Sequence, residues 1–200
     1  HAGHDDHGHD DHGHAGHGHA GHDHGAFDPH AWQSIIHAVR YVENITTALS
    51  AADPANAAAF AQNRDAYVAE LSALHGEIVG MMGQLADSQR TVVTSHDAFG
   101  YFTQAYGVTF IAPQGLSTAS EASAQDVARL IEQIREEAVS AVFVESITDN
   151  RLIEQIARET DAQVGGTLYS DALSGPDGPA ASYIEMMRHN AALLSQTLGS

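Results

Sequence analysis

Fifteen histidines stand among 200 residues, and ten of them fall within the first twenty-five. His1, His4, His7, His9, His12, His14, His17, His19, His22 and His24 are interleaved with five aspartates and otherwise only glycine and alanine. Imidazole and carboxylate both ligate divalent metal, so residues 1–25 read as a metal-capturing loop of many weak, interchangeable sites. Nothing there can build a core, which predicts disorder. A purification tag is the plainer reading, although tags are contiguous histidine runs. Storage or pH sensing by the tract is the other alternative.

Outside the tract, three metal-capable side chains stand at or just past β-branched runs. His96 follows TVVTS, Glu145 closes AVFVE, and Asp171 comes shortly after QVGGTL. His30 sits in Asp28-Pro29-His30-Ala31-Trp32, where the chain enters its first helical stretch. In open α/β sheets ligands bind beyond the carboxyl ends of strands, which makes this placement a site candidate. Each residue also has a plain structural use. His30 suits a surface helix start, His96 a turn hydrogen bond, and Asp171 an Asx-turn. Glu145 is better placed to orient a histidine from behind than to touch a metal. Asp97 points elsewhere and is a supporting residue at most. His37, His75 and His189 fall on helical stretches and read as packing or surface residues. His37 cannot share an ion with His30, because seven helical residues separate them by ~10 Å.

These residues need elements to hold them. Ile35, Ile36, Val39, Val42 and Ile45 give mostly three- and four-residue spacings, predicting a helix over 31–50. Asp53-Pro54 then suits a cap and first helical position. Tyr67, Leu71, Leu74, Ile78, Met81 and Leu85 alternate by four and three, predicting one helix over 54–86, ~50 Å long. From residue 91 the pattern changes to strand–helix alternation, with strands at 91–95, 108–112, 141–145 and 163–168. Helices are predicted from Ser123 onward (Val127, Leu130, Ile131, Ile134), over 149–160 (Leu152, Ile153, Ile156) and over 180–198 (Tyr183, Met187, Leu194, Leu198). Such alternation means a parallel sheet with helices on its faces.

Composition narrows the function classes. Twenty-six acidic residues face eight basic ones, a formal charge of −18. That charge repels phosphate backbones and anionic lipid, so no nucleic-acid partner is expected. No apolar run approaches the ~20 residues of a membrane span. Absence of cysteine removes thiolate chemistry, disulfides and Cys-type zinc sites.

The combination of the His/Asp tract, DPHAW, a long helix, TSHDAFGYF and LYSDALS resembles the zinc-binding solute-binding proteins of bacterial ABC transporters. These are the ZnuA- and AztC-like members of the cluster A-I family, and the resemblance runs from residue 1 to 200. It implies a two-lobed α/β protein in which a long rigid linker helix joins lobes that clamp one metal ion. The matching ligands are His30, His96 and Asp171, with Phe99, Gly100 and Tyr101 packing behind His96. The implied division is a metal-capturing loop at 1–25, the end of an amino-terminal lobe at 26–52, the linker helix at 53–89 and a C-terminal α/β lobe at 90–200. The family's first ligand, a histidine, belongs to an amino-terminal lobe ahead of the tract, and this chain mostly lacks that lobe. Manganese-binding members carry a carboxylate at the position of His96, so the resemblance and the donor types together imply Zn(II). Copper and nickel also accept imidazole. The implied protein is a periplasmic monomer that binds without catalysis and serves a permease, with a periplasmic metallochaperone as a second partner. The alternatives are a zinc store built on the tract and a zinc hydrolase using Glu145 as base.

Overall fold

The structure, a computed structural model, describes residues 27–115, 122–139 and 141–199. The metal-capturing loop expected over 1–25 lies outside the described residues. The described chain begins with a short 3-10 turn, Ala31–Gln33, and helix α1, Ile35–Ala52. A second 3-10 turn, Pro54–Asn56, leads into α2, Ala57–Gly83. The remaining elements are β1 Thr91–Val93, α3 Gly100–Tyr106, β2 Thr109–Ile111, α4 Ala124–Glu136, β3 Ala141–Glu145, α5 Arg151–Glu159, β4 Gln163–Leu168 and α6 Tyr183–Leu198. The four strands form one parallel sheet in the order β2-β1-β3-β4. The expected α/β architecture is present.

Burial explains the layers. On β3 the side chains alternate between two cores. Ala141 and Phe143 join Leu74, Ile78, Phe102, Met187 and Leu194 on the face covered by α2, α3 and α6. Val142 and Val144 join Leu130, Ile134, Ile153 and Ile156 on the face covered by α4 and α5. A strand buried on both faces reads as a continuous apolar run, as AVFVE does. Ser123 caps α4 by accepting from the Asp126 backbone N–H at 3.1 Å. Gly165 of β4 is required by close packing, since a Cβ there would lie 2.5 Å from the Phe143 ring.

Three expectations need correction. The helix predicted over 54–86 spans only Ala57–Gly83, ~40 Å, with 3-10 turns at Pro54–Asn56 and Asp87–Gln89. Asp53 does not cap it by a backbone bond; its carboxylate accepts from the Asn56 amide at 2.6 Å. Along α1 only Ile35 and Ala38 are buried, while Ile36 and Ile45 are 58% and 57% exposed. At 3.6 residues per turn these two lie about 100° and 80° to either side of the buried Ile35. Helix α3 was not predicted at all. Its seven residues are too few for a periodic signal, and Phe102 and Tyr106 are its only buried residues.

Candidate metal centre

The strand order reverses direction at β1. The chain leaves β1 for β2 on one side and returns to β3 on the other. Ligands in such sheets bind at this switch point, beyond the carboxyl ends of the strands. His96 lies there. Its stretch continues the β1 line, with His96 bridged in parallel to Gln114. Glu145, the last residue of β3, is its neighbour across the switch point.

Glu145 is 1% exposed and its carboxylate is fully engaged by the β1 end. Oε1 accepts from the backbone N–H groups of Ser95 at 2.8 Å and His96 at 2.9 Å. Oε2 stands 2.8 Å from His96 Nδ1, and neither of these two atoms has another hydrogen-bonding partner. Nδ1 therefore carries the proton and Nε2 is turned into the site.

His30 arrives from the other end of the described chain, on the turn that precedes α1. Three contacts tie that turn to the segment after β4 and to the start of α6. Trp32 Nε1 and Gln33 Nε2 both donate to the Ser170 carbonyl at 2.9 Å, and Tyr183 donates its hydroxyl to the Trp32 carbonyl at 2.7 Å. Ser170 is fully buried, and Asn190 of α6 clasps the adjacent Tyr169 through both its N–H and its carbonyl. Asp171 follows directly. Asp28 Oδ1 accepts from both the backbone N–H of His30, at 2.9 Å, and its Nδ1, at 2.7 Å. His30 Nε2 is thus presented in the same way as His96 Nε2.

The three candidates converge. His30 Nε2 lies 3.2 Å from Asp171 Oδ1, and His96 Nε2 lies 3.0 Å from Asp171 Oδ2. One donor atom from each residue lies within 4.8 Å of the others. A tetrahedral ion with ~2.1 Å bonds holds its donors ~3.4 Å apart, so small side-chain shifts would close this set on such an ion. Both histidines are buried, whereas a quarter of the Asp171 side chain is exposed.

The electrostatics follow from the geometry. Burial opposes charge on His96, but hydrogen bonds with Asp171 and Glu145 outweigh it and push the imidazole up to about 9. His30 is also raised, since Asp171 and Asp28 together overcome the cost of its burial. Burial would raise Asp171, yet the two imidazoles hold its carboxyl well below the usual carboxylate range.

Glu145 does not join the donor set. Of the other histidines, His37 edges onto the Tyr101 ring, His75 Nδ1 lies 3.2 Å from the Tyr106 hydroxyl, and His189 Nε2 lies 3.0 Å from the Thr167 carbonyl. His75 and His189 are half-buried packing residues, and His37 is a surface residue. Phe99 is fully buried behind His96 and stacks on Phe110. Sequence reasoning missed Asp28, Trp32 and Gln33. Asp28 had a local signal, an acidic residue two positions before a histidine with proline between them.

A family model described as "Zinc-uptake complex component A periplasmic" matches residues 1–197. The iron-binding protein YfeA of Yersinia pestis is 34% identical over 172 residues, covering 86% of this chain and 55% of YfeA. The iron ABC transporter substrate-binding lipoprotein MtsA of Streptococcus pyogenes is 32% identical, with the same coverage. Among solved structures, the periplasmic zinc-binding protein TroA of Treponema pallidum matches with a TM-score of 0.82 at 34% identity, covering 86% of this chain and 64% of that one. A manganese-bound mutant of a periplasmic metal-binding protein from Candidatus Liberibacter asiaticus matches with a TM-score of 0.80 at 32% identity, over 86% and 63%. The chain therefore spans little more than half the length of the curated relatives it matches.

Proposed function

The chain belongs to the ZnuA family, and from that premise we propose that it captures Zn(II) outside the cytoplasm and passes it to the permease of an ABC transporter. The observation carrying this reading is the convergence of His30, His96 and Asp171, with each imidazole held at Nδ1 by its own carboxylate. That arrangement supports metal ligation through Nε2.

Donor type supports zinc. Two imidazoles and one carboxylate suit zinc, whereas manganese favours an oxygen-rich set. Three donors leave the fourth position of a tetrahedral ion to a ligand outside this set, and a histidine upstream is the candidate. Relatives named for iron, and a structural neighbour bound to manganese, make metal choice a matter for direct competition. Their names, including a lipoprotein of an ABC transporter, support capture outside the cytoplasm. No described helix is long and apolar enough to cross a membrane.

Hydrolysis fits poorly. Both Glu145 oxygens are engaged, one by two backbone N–H groups and one by His96, so neither is available to activate water. Membership of an uptake family agrees with binding without turnover.

The test is zinc titration of the full-length protein against a competing chelator, with manganese and iron(II) in parallel. Loss of the residues behind metal ligands costs ~10–100-fold, so His96→Ala should weaken zinc by at least that much. An unchanged constant would remove His96 from the coordination sphere and the reading with it.

A further inference from the structure

The two ligand histidines are held by carboxylates that use their oxygens differently. At Asp28 a single oxygen, Oδ1, accepts both His30 donors, the backbone N–H and Nδ1. At Glu145 the work is divided: Oε1 accepts two backbone N–H groups while Oε2 takes His96 Nδ1. The geometry points to Asp28 and Glu145 as the positioning residues of the site, with the same acid-to-amide change tolerated at the first and damaging at the second. This inference rests on the reading of His30, His96 and Asp171 as the metal ligands.

The reasoning is one of donors and acceptors. An amide keeps one acceptor oxygen and turns the other into an NH₂ donor. At position 28 the remaining oxygen can serve both His30 donors, so Nδ1 stays protonated and Nε2 stays free for metal. Room for the new NH₂ group is supplied by Gly100, where a Cβ would stand only 3.0 Å from Asp28 Oδ2. The glycine of TSHDAFGYF is thus the space that the aspartate of DPHAW occupies.

At position 145 the remaining oxygen cannot serve all three donors. If it stays on the Ser95 and His96 N–H groups, the NH₂ faces His96 Nδ1, which must then become the acceptor. The proton moves to Nε2, the atom aimed at the metal, and ligation requires reversing the tautomer. If the amide turns over, two buried backbone N–H groups face a donor instead. Either outcome strains the site, because Glu145 is buried away from bulk solvent. Asp28, with 24% of its side chain exposed, has no comparable constraint.

The experiment compares Asp28→Asn, Asp28→Ala, Glu145→Gln and His96→Ala in the full-length protein, with zinc as the probe against a competing chelator. Asp28→Asn should stay within about tenfold of the parent, while Asp28→Ala and Glu145→Gln lose ~10–100-fold or more. Long-range ¹H–¹⁵N spectra of the zinc-free, histidine-labelled protein in alkaline buffer give a second readout. The His96 signal, identified by its loss in His96→Ala, should change from an Nδ1–H to an Nε2–H pattern in Glu145→Gln. Retention of the Nδ1–H pattern in a folded Glu145→Gln protein overturns the inference, as does equal zinc affinity for Asp28→Asn and Asp28→Ala. If His96→Ala itself binds zinc like the parent, it is the ligand assignment that fails.

Discussion

Without zinc, the geometry calls for a proton between His96 and Asp171. His96 donates through Nδ1 to Glu145 and through Nε2 to Asp171, which is possible only for the charged imidazole. With its pKa pushed up to about 9, His96 is almost wholly charged at neutral pH. Zinc requires the neutral ring, so binding must expel that proton. At pH 7, below this value, expulsion costs roughly 3 kcal/mol of binding energy. Zinc affinity should therefore rise about tenfold per pH unit between pH 6.5 and 8.5, and more steeply at the acid end, where His30 is also charged. Above pH 9 the slope should flatten. Stability of the ion-free protein runs the other way. A raised histidine pKa contributes stability fully present below ~6.5 and lost as pH rises through about 9, here ~3 kcal/mol at most. Asp171, with its lowered pKa, contributes above ~3.9 and loses that contribution only in stronger acid. The zinc-free protein should thus melt higher at pH 6 than at pH 9, and saturating zinc should reverse the order. Chelator competition across this range, with calorimetry in buffers of different ionisation enthalpy, measures both slope and protons released. A constant independent of pH from 6.5 to 8.5, with no proton release, would refute the reasoning.

Two further outcomes are expected. Gly165→Ala places a Cβ 2.5 Å from Phe143 and 2.9 Å from Thr197, so overpacking should cost ~1–3 kcal/mol. A melting temperature lower by roughly 2–4 °C per kcal/mol, with the zinc constant unchanged, would register it. Deleting residues 1–25 should reduce the number of zinc ions bound and slow loading at scarce zinc. The tight constant should hold within about threefold, because an ion held by a Gly/Asp-rich sequence must order backbone at ~1–2 kcal/mol per residue, which leaves such sites weak. Loss of the tight site on deletion would move the function to the tract and favour storage.

Much of the fold was legible because the strands of this sheet are marked twice, by β-branched runs and by the helical stretches between them. AVFVE and QVGGTL coincide with β3 and β4 to the residue. TVVTS loses its last two residues, where the Ser95 backbone N–H turns to Glu145, and VTFIA loses one residue at each end. The faces of α1 were not legible. Its apolar residues spread around the helix, and periodicity alone cannot tell which of them α2 covers. Ile36, Ile45 and Leu49 stay exposed among the described residues.

For the candidate site, residue type and strand-end position singled out His96 and Asp171 along with Glu145, which stays outside the donor set, and the helix-entry position singled out His30. What they could not supply was orientation. Whether a histidine offers Nδ1 or Nε2 depends on the partner of its other nitrogen. For His96 that partner is Glu145, 49 positions away. For His30 it is Asp28, close by, but the turn carrying both is secured by Ser170, more than 130 positions on. Long-range partners of this kind leave no spacing for a periodic reading to detect. The practical consequence is that a metal site read from donor types alone is underdetermined. In the proposed site, His30 and His96 can serve one ion because the carboxylates of Asp28 and Glu145, outside the donor set, hold each Nδ1 and turn both Nε2 atoms toward Asp171.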